Sequence, residues 1–547
     1  MPDLGEKIKR LSMELTRIAS IVGTTGEIRA AGYIYEYLKK VNYFVQNPGN
    51  LQLKDLKNDP LNRKYIMAFL EGKKTSPNTI LLLGHIDTVG VDDYGDLKEY
   101  ATEPEILKSM LSKKSFDEEI KSDLKSDNWI FSRGIFDMKT GVASQMVMLE
   151  EFSKHLEKLR GNLVFIGVPD EEGNSSGMLS AVQDLAELTK QKGWEFIAAI
   201  DTDYMTGQYA GDEKKYVYVG TVGKLLPCFY VYGKETHVGE AFSGLDANLL
   251  ASELIKEIDL NYDLCDVAGG EATLPPISLH QRDLKAEYSV QTVNAVNLYF
   301  NFATHKSQPD EVLEKLKQKA IRAFDNTIKR LNENYKKYCE LSGIPFKKLP
   351  WQSKVLTFEE LYKNVKDEAG NEFEGKFEAL IDELLKKGAD DREFSLRVVQ
   401  EVHKHYSDKN PMIIIYFAPP FYPHIFVEGE SPREAKLLSA VEEAVEEARA
   451  KSKYDIVIKK FYPYISDLSY CGISRNEESI KKLVNNMPAW PKKYSLPVEA
   501  IQQINMPVLN IGPYGRDAHK LTERLSQSYS FDTMPFILEK TIERLLN

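Results

Sequence analysis

Three short segments, TILLLG (79–84), NLVFIGVP (162–169) and EFIAAI (195–200), are apolar at consecutive positions where a strand with one wet face would alternate. A strand that is apolar on both faces must be covered twice. Amphipathic helical patterns supply the covers: residues 11–21 and 27–40 carry apolar side chains at three- and four-residue spacing, and MKTGVASQMVMLEEFSKHLEKL (138–159) runs between the first two segments. With KYIMAFLE (64–71) as a further strand, the pattern predicts an α/β domain whose mostly parallel sheet is covered by helices on both faces. A Lys-, Asp- and Glu-rich insert at about 92–128 reads as a surface excursion.

A single core stops growing at roughly 250–300 residues, so 547 residues predict more than one domain. The texture changes near residue 213. YVYVG, KLLPCFYVYG and VQTVNAVNLYFNF are aromatic and β-branched strands, with helices at ANLLASELIKEI and at 310–338, which predicts an inserted α+β domain over 213–390. PMIIIYFAPPF, SPREAKLLSAVEEAVEEARAK, YDIVIKKFYP, PVLNIG and PFILEKTIERLL are then expected to complete the first sheet, giving domains at 1–212, 213–390 and 391–547. The net charge of −11 offers no basic footprint for nucleic acid or an anionic membrane. No stretch approaches the ~20 apolar residues of a membrane span. Cys228, Cys265, Cys339 and Cys471 form no C-x-x-C pair, and the N-terminus lacks the apolar run of a secretory signal. These features predict a cytoplasmic protein.

In open α/β sheets, reactive groups gather where strands end at their carboxyl edge. TILLLG ends in His85 and Asp87, NLVFIGVP in Asp170, Glu171 and Glu172, and EFIAAI in Asp201 and Asp203; PVLNIG leads to His519. Asp137 sits in a glycine-flanked loop before a long helix. Taken singly, each has an ordinary reading: a hydrogen-bonded strand-end pair, a solvated acidic turn, a helix cap. Together they mix imidazole and carboxylate without thiolate, which suits an open hydrolytic site for Zn²⁺, Co²⁺ or Mn²⁺, with enough carboxylates for two metals.

GHIDTV, GIFDMKTG, PDEEG and the late GRDAHKLTE resemble the ordered signatures of the M20 peptidase family, co-catalytic zinc aminoacylases, deacylases, carboxypeptidases and dipeptidases. The resemblance covers the first 205 residues and the last 40 or so, and the insert more loosely through GKETHVGEAFSGLDANLLASEL. It implies a zinc-peptidase type of sheet with an inserted lid or dimerisation domain, two divalent metals (Zn²⁺, with Co²⁺ and Mn²⁺ as alternatives), and a small-molecule or short-peptide substrate. On the same basis His85 would bind one metal with its ring held by Asp87, Asp137 would bridge both, Glu172 would complete one metal's shell, and His519 would bind the other. Asp203 is favoured as the remaining ligand because Thr202 is the small residue that members place before it, with Asp201 its rival. Glu171 would be the general base.

His237 would stabilise the oxyanion, often from the partner subunit of a homodimer, and Asn294 matches a position near substrate. The following NLYFNFATHK lacks the aspartate and arginine of the family. Ser466 and Asp467 in FYPYISDLSY stand where the family carries a substrate loop, while His155, His403 and His405 read as solvated. Overall length and the aromatic FYP segments resemble the RocB-type arginine-utilisation branch. The implied function is hydrolysis of an amide bond in a small N-acyl amino acid or short peptide. The alternatives are a metal-binding regulatory module on the same fold and a metallophosphoesterase.

Overall fold

A computed structural model describes residues 2–74 and 76–547. They form two compact units: 1–222 with 424–473 and 497–547, and 223–423 with 474–496.

The first unit is built on an eight-stranded sheet in the order Leu51–Asp55, Lys64–Glu71, Asn162–Val168, Asn78–His85, Glu195–Asp201, Val508–Asn510, Lys215–Val219, Ile456–Lys459. Four of the seven pairings are parallel, including the three at the centre. The central strands behave as their composition requires, since every residue of Asn162–Val168 is buried. The helix Thr140–Ser153 is buried almost all round, and Pro432–Lys451 and Met534–Leu546 bury their Leu, Ile, Val and Ala faces in the same core. Register decides where the polar ends fall: His85 lies level with Val168, Leu83 with Asp201, and Asn510 with Asp201. One carboxyl edge therefore presents His85, the turn after Val168, and the loop after Asp201.

The second unit carries a five-stranded sheet in the order Ile277–Asp283, Ala295–Thr304, Gly223–Tyr232, Met412–Tyr422, Val355–Thr357. Helices Ala247–Ile258 and Pro309–Ser342 pack on each other, and Phe358–Ala369, Asn371–Lys386 and Asp391–His405 cluster with Leu226, Tyr230, Ile414 and Tyr416.

Four features differ from the sequence reading. Lys215–Val219 belongs to the first sheet, so the units part at 222/223 and not 212/213. Met412–Tyr422 belongs to the second sheet, which moves the return from 390/391 to 423/424, and 474–496 joins the second unit. Both strands are apolar along their length, and apolarity does not say which sheet a strand enters. The insert at 92–128 forms helices Pro104–Leu111 and Glu118–Lys125 and buries Tyr94, Leu97, Leu107, Leu111 and Leu124 in the first core. Most of its charge lies on the outer helix faces, with Asp123 the buried exception. His403 is buried with Tyr230 and Tyr232 packed edge-on against its ring, and burial pushes its pKa down to about 4. Among the described residues no helix is long and apolar enough to cross a membrane.

Candidate metal centre

Asp137 is the hub of the carboxyl edge. Its Oδ1 lies 3.0 Å from His85 Nε2, and its Oδ2 lies 2.8 Å from His519 Nε2, which is also 2.9 Å from Glu172 Oε1. Three groups of potential ligand atoms result, each with its atoms within 4.8 Å of one another: His85, Asp137 and Asp203; His85, Glu171 and Glu172; Asp137, Glu172 and His519. Asp137 thus joins two groups, one through each imidazole.

The loops that carry these residues are fixed by close approach. At Gly141, one turn beyond Asp137, an added Cβ would stand 2.1 Å from the Thr202 carbonyl oxygen; at Gly512 it would stand 1.6 Å from that of Asp203. The Asp203 loop is therefore wedged between the Asp137 helix and the PVLNIG loop, at distances open to glycine alone. Asp170, Asp517 and His519 adopt left-handed φ values of 74°, 58° and 64°. Non-glycine residues hold such angles where surrounding structure compels them. Compulsion is visible at each. Asp170 Oδ1 accepts from the buried Arg63 guanidinium at 2.6 Å, which also reaches Glu27 and Asp59. Asp517 accepts from Arg524, which donates to Asp123 of the insert at 2.7 Å. Glu523, four residues beyond His519, accepts from Gly134 N at 2.7 Å and from Arg133, tying the His519 loop to the Asp137 loop.

Asp87 is fully buried, and its two carboxylate oxygens accept the backbone N–H groups of Glu171 (3.2 Å) and Glu172 (3.0 Å). The His85 ring Nδ1 is nearest the Asp87 carbonyl oxygen, at 3.2 Å, with the carboxylate at 3.7 Å. Asp87 thus braces the turn that presents the two glutamates and reaches the imidazole chiefly through its main chain. Asp201 belongs to none of the three groups: its Oδ1 accepts from Thr202 N at 2.7 Å and its Oδ2 from Ser466 Oγ at 2.9 Å. Asp203 Oδ2 accepts from Tyr462 Oη at 2.8 Å, while its Oδ1 accepts from Tyr204 N and faces His85. Ser466 and Asp467 are buried. His237 and Asn294 lie in the second unit, both exposed; His237 Nδ1 accepts from Gly239 N at 3.1 Å.

Electrostatics follow from crowding acids in a buried place. Burial pushes the carboxyls of Glu171, Glu172 and Asp203 up, with Asp203 pushed further by Asp137; it takes Asp201 to about 6 and Asp467 to about 8. At Asp137 burial is outweighed by the His519 and His85 hydrogen bonds, and its pKa falls. Hydrogen bonds to Asp137 and Glu172 raise His519 to about 10, and the hydrogen bond to Asp137 with the nearby charges of Glu171 and Asp87 raises His85 against its burial. Burial, then the nearby carboxylates of Asp137 and Asp203, pushes the Tyr204 phenol up. Two imidazoles face Asp87, Asp137, Glu171, Glu172 and Asp203, and buried carboxylates without countercharge are costly. The donor set, oxygen and imidazole nitrogen around a shared carboxylate, fits divalent cations that supply that charge.

Tyr462, Arg63, Arg133 and Glu523 did not stand out in the sequence, although Glu523 closes the GRDAHKLTE stretch and Tyr462 is the second residue of FYPYISDLSY. Each acts on a ligand through the fold, and sequence spacing carries no trace of that.

The family model described as peptidase family M20/M25/M40 matches residues 81–529. Protein RocB of Bacillus subtilis is 35% identical over 544 residues, covering 99% of this chain and 95% of its own. The uncharacterised protein YqjN of the same organism is 36% identical over 548 residues, with 99% and 96% covered. Among solved structures, aminopeptidase PepT from Bacillus cereus shares the fold with a TM-score of 0.53 at 13% identity, over 99% of both chains.

Proposed function

The chain belongs to peptidase family M20/M25/M40, hydrolases of peptidase or amidohydrolase type, and on that premise we propose that it cleaves an amide bond of a small N-acyl amino acid or short peptide with two divalent metal ions. The observation that carries the reading is the Asp137 carboxylate, each oxygen turned to a different imidazole. His85 and Asp203 would hold one ion, Glu172 and His519 the other, and Asp137 both. Asp203 is preferred over Asp201 because its carboxylate lies in one group with His85 and Asp137, whereas Asp201 belongs to none. Zn²⁺ suits this donor set, as do Co²⁺ and Mn²⁺.

Bound together, such ions acidify water and polarise a carbonyl. Glu171 then accepts the proton of the attacking water on a carboxylate oxygen and delivers it to the leaving amine nitrogen. Asp87, by holding the N–H groups of Glu171 and Glu172, keeps base and ligand aimed apart from one turn. Asp201 and Ser466 brace the Asp203 loop from behind. His237 is assigned as oxyanion donor: with Nδ1 accepting from Gly239, a neutral ring carries its proton on Nε2, free to donate. We assign the second unit as the pairing surface of a homodimer, since Ile277–Asp283 is an edge strand with Ile277 and Leu279 exposed. On the family resemblance we assign Asn294 and Asp467 to contact with the substrate. Likeness to RocB favours a role in arginine or amino-acid utilisation.

Assaying zinc-, cobalt- and manganese-loaded protein against N-acyl amino acids and dipeptides tests the reading. Metal-dependent release of a free amine is expected. Metal binding with no turnover across the panel would favour the regulatory-module alternative.

A further inference from the structure

Tyr204 follows Asp203 directly and has a role that the proposed machinery does not use. Its ring is fixed on two sides, at 4.8 Å from Phe136, the neighbour of Asp137, and at 4.9 Å from Tyr464. Its main chain is fixed as well: its N–H donates to Asp203 Oδ1 at 2.7 Å and its carbonyl accepts from Tyr462 Oη at 3.2 Å. The hydroxyl lies within electrostatic reach of the carboxylates of Asp137, Asp203 and Glu172, yet has no hydrogen-bond partner among the described residues. Tyr462, beside it, spends its own hydroxyl on Asp203. A half-buried phenol held rigidly at a reactive edge with its donor unspent is preorganised for something that arrives there.

We propose that Tyr204 is a catalytic residue of the first unit, its O–H donating a hydrogen bond to the oxyanion that forms when water adds to the substrate carbonyl. The inference rests on the amide-hydrolase reading above. The phenol keeps its proton throughout: the water oxygen bonds to the carbonyl carbon, the carbonyl π pair moves onto the oxygen that Tyr204 contacts, the carbon–nitrogen bond then breaks as that pair returns, and Glu171 carries the proton from water to nitrogen.

Tyr204→Phe keeps the ring stack and removes the donor. Zinc binding to parent and variant is measured by calorimetry, followed by titration of the zinc-loaded proteins with butaneboronic acid, which becomes tetrahedral when it binds, and with planar acetate. The expected result is unchanged zinc stoichiometry, acetate affinity within twofold, and boronate binding weaker by roughly 10- to 100-fold, accompanied on any hydrolysed substrate by a fall in kcat of about 10² to 10³ with KM nearly constant. Equal boronate affinity in the two proteins overturns the role of Tyr204 while leaving the metal reading intact. Loss of zinc in the variant makes Tyr204 a structural residue and also overturns it. A parent that takes up no zinc overturns the hydrolase reading and this inference with it.

Discussion

Replacing Asp87 by asparagine separates two ways in which that residue could serve the site. Its carboxylate accepts two backbone N–H groups, from Glu171 and Glu172, in a fully buried position. Asparagine offers one acceptor oxygen and an NH₂ group, so one of those N–H donors must face another donor. Losing a hydrogen bond to a charged acceptor costs about 1.5–3 kcal/mol. At about 1.4 kcal/mol per factor of ten, that is roughly 10- to 100-fold, charged against whatever requires the turn to stay in place. The Asp87 carbonyl that His85 Nδ1 approaches is unchanged by the substitution. The Asp87→Asn variant should therefore lose roughly 10- to 100-fold in affinity for the ion assigned to Glu172 and His519, with the ion at His85 and Asp203 less affected. Zinc competition against a chromophoric chelator, fitted to two sites, reads both affinities. Two affinities within twofold of the parent would refute the bracing role, and selective loss at the His85 side would return Asp87 to holding the ring.

Glu171→Gln should bind metal as the parent does and lose about 10² to 10⁴ in turnover, as expected for a missing general base; turnover at the parent rate would remove Glu171 from that role. If His237 acts across a dimer, mixing His237→Ala with Glu171→Gln chains should restore one working site per mixed dimer, and no recovery in a sample shown by mass to contain mixed dimers would place His237 in its own chain. His403 gives a pH signature remote from the metal centre in sequence. Its pKa is depressed to about 4 by burial, so the unfolded chain takes up the proton first as pH falls, and stability present above about pH 6.5 is lost toward pH 4, on the order of 3 kcal/mol at that pH. Urea unfolding of parent and His403→Phe at pH 7 and pH 4 should show the variant losing less, and equal losses would mean that the ring is protonated in the fold.

The reactive edge was legible because it is written locally. His85, Glu171, Glu172 and Asp203 each follow an apolar strand, and register brings strand ends level without help from distant sequence. Asp137 and His519 end no strand and are read from a glycine-flanked loop and from the stretch after PVLNIG, while their separate roles come with the family resemblance. What stayed hidden is what tertiary contact decides. Lys215–Val219 and Met412–Tyr422 look alike as strings and enter different sheets. His403 lies in the last turn of a helix of polar appearance yet turns inward against Tyr230 and Tyr232. The acidic insert reads as solvent-facing, and still its Asp123 meets Arg524, 401 positions later in the chain. Preference for Asp203 over Asp201 likewise turns on which carboxylate the fold brings beside His85 and Asp137, a fact of tertiary placement and not of the DTD motif.

The central claim is that two metal ions share Asp137. Anomalous diffraction from crystals of zinc-loaded protein, collected on both sides of the zinc edge, tests it directly. Two peaks about 3.5–4 Å apart are predicted, with the Asp137 carboxylate between them, His85 and Asp203 on one and Glu172 and His519 on the other. A single peak, or peaks that leave either Asp137 oxygen without a metal, would contradict it.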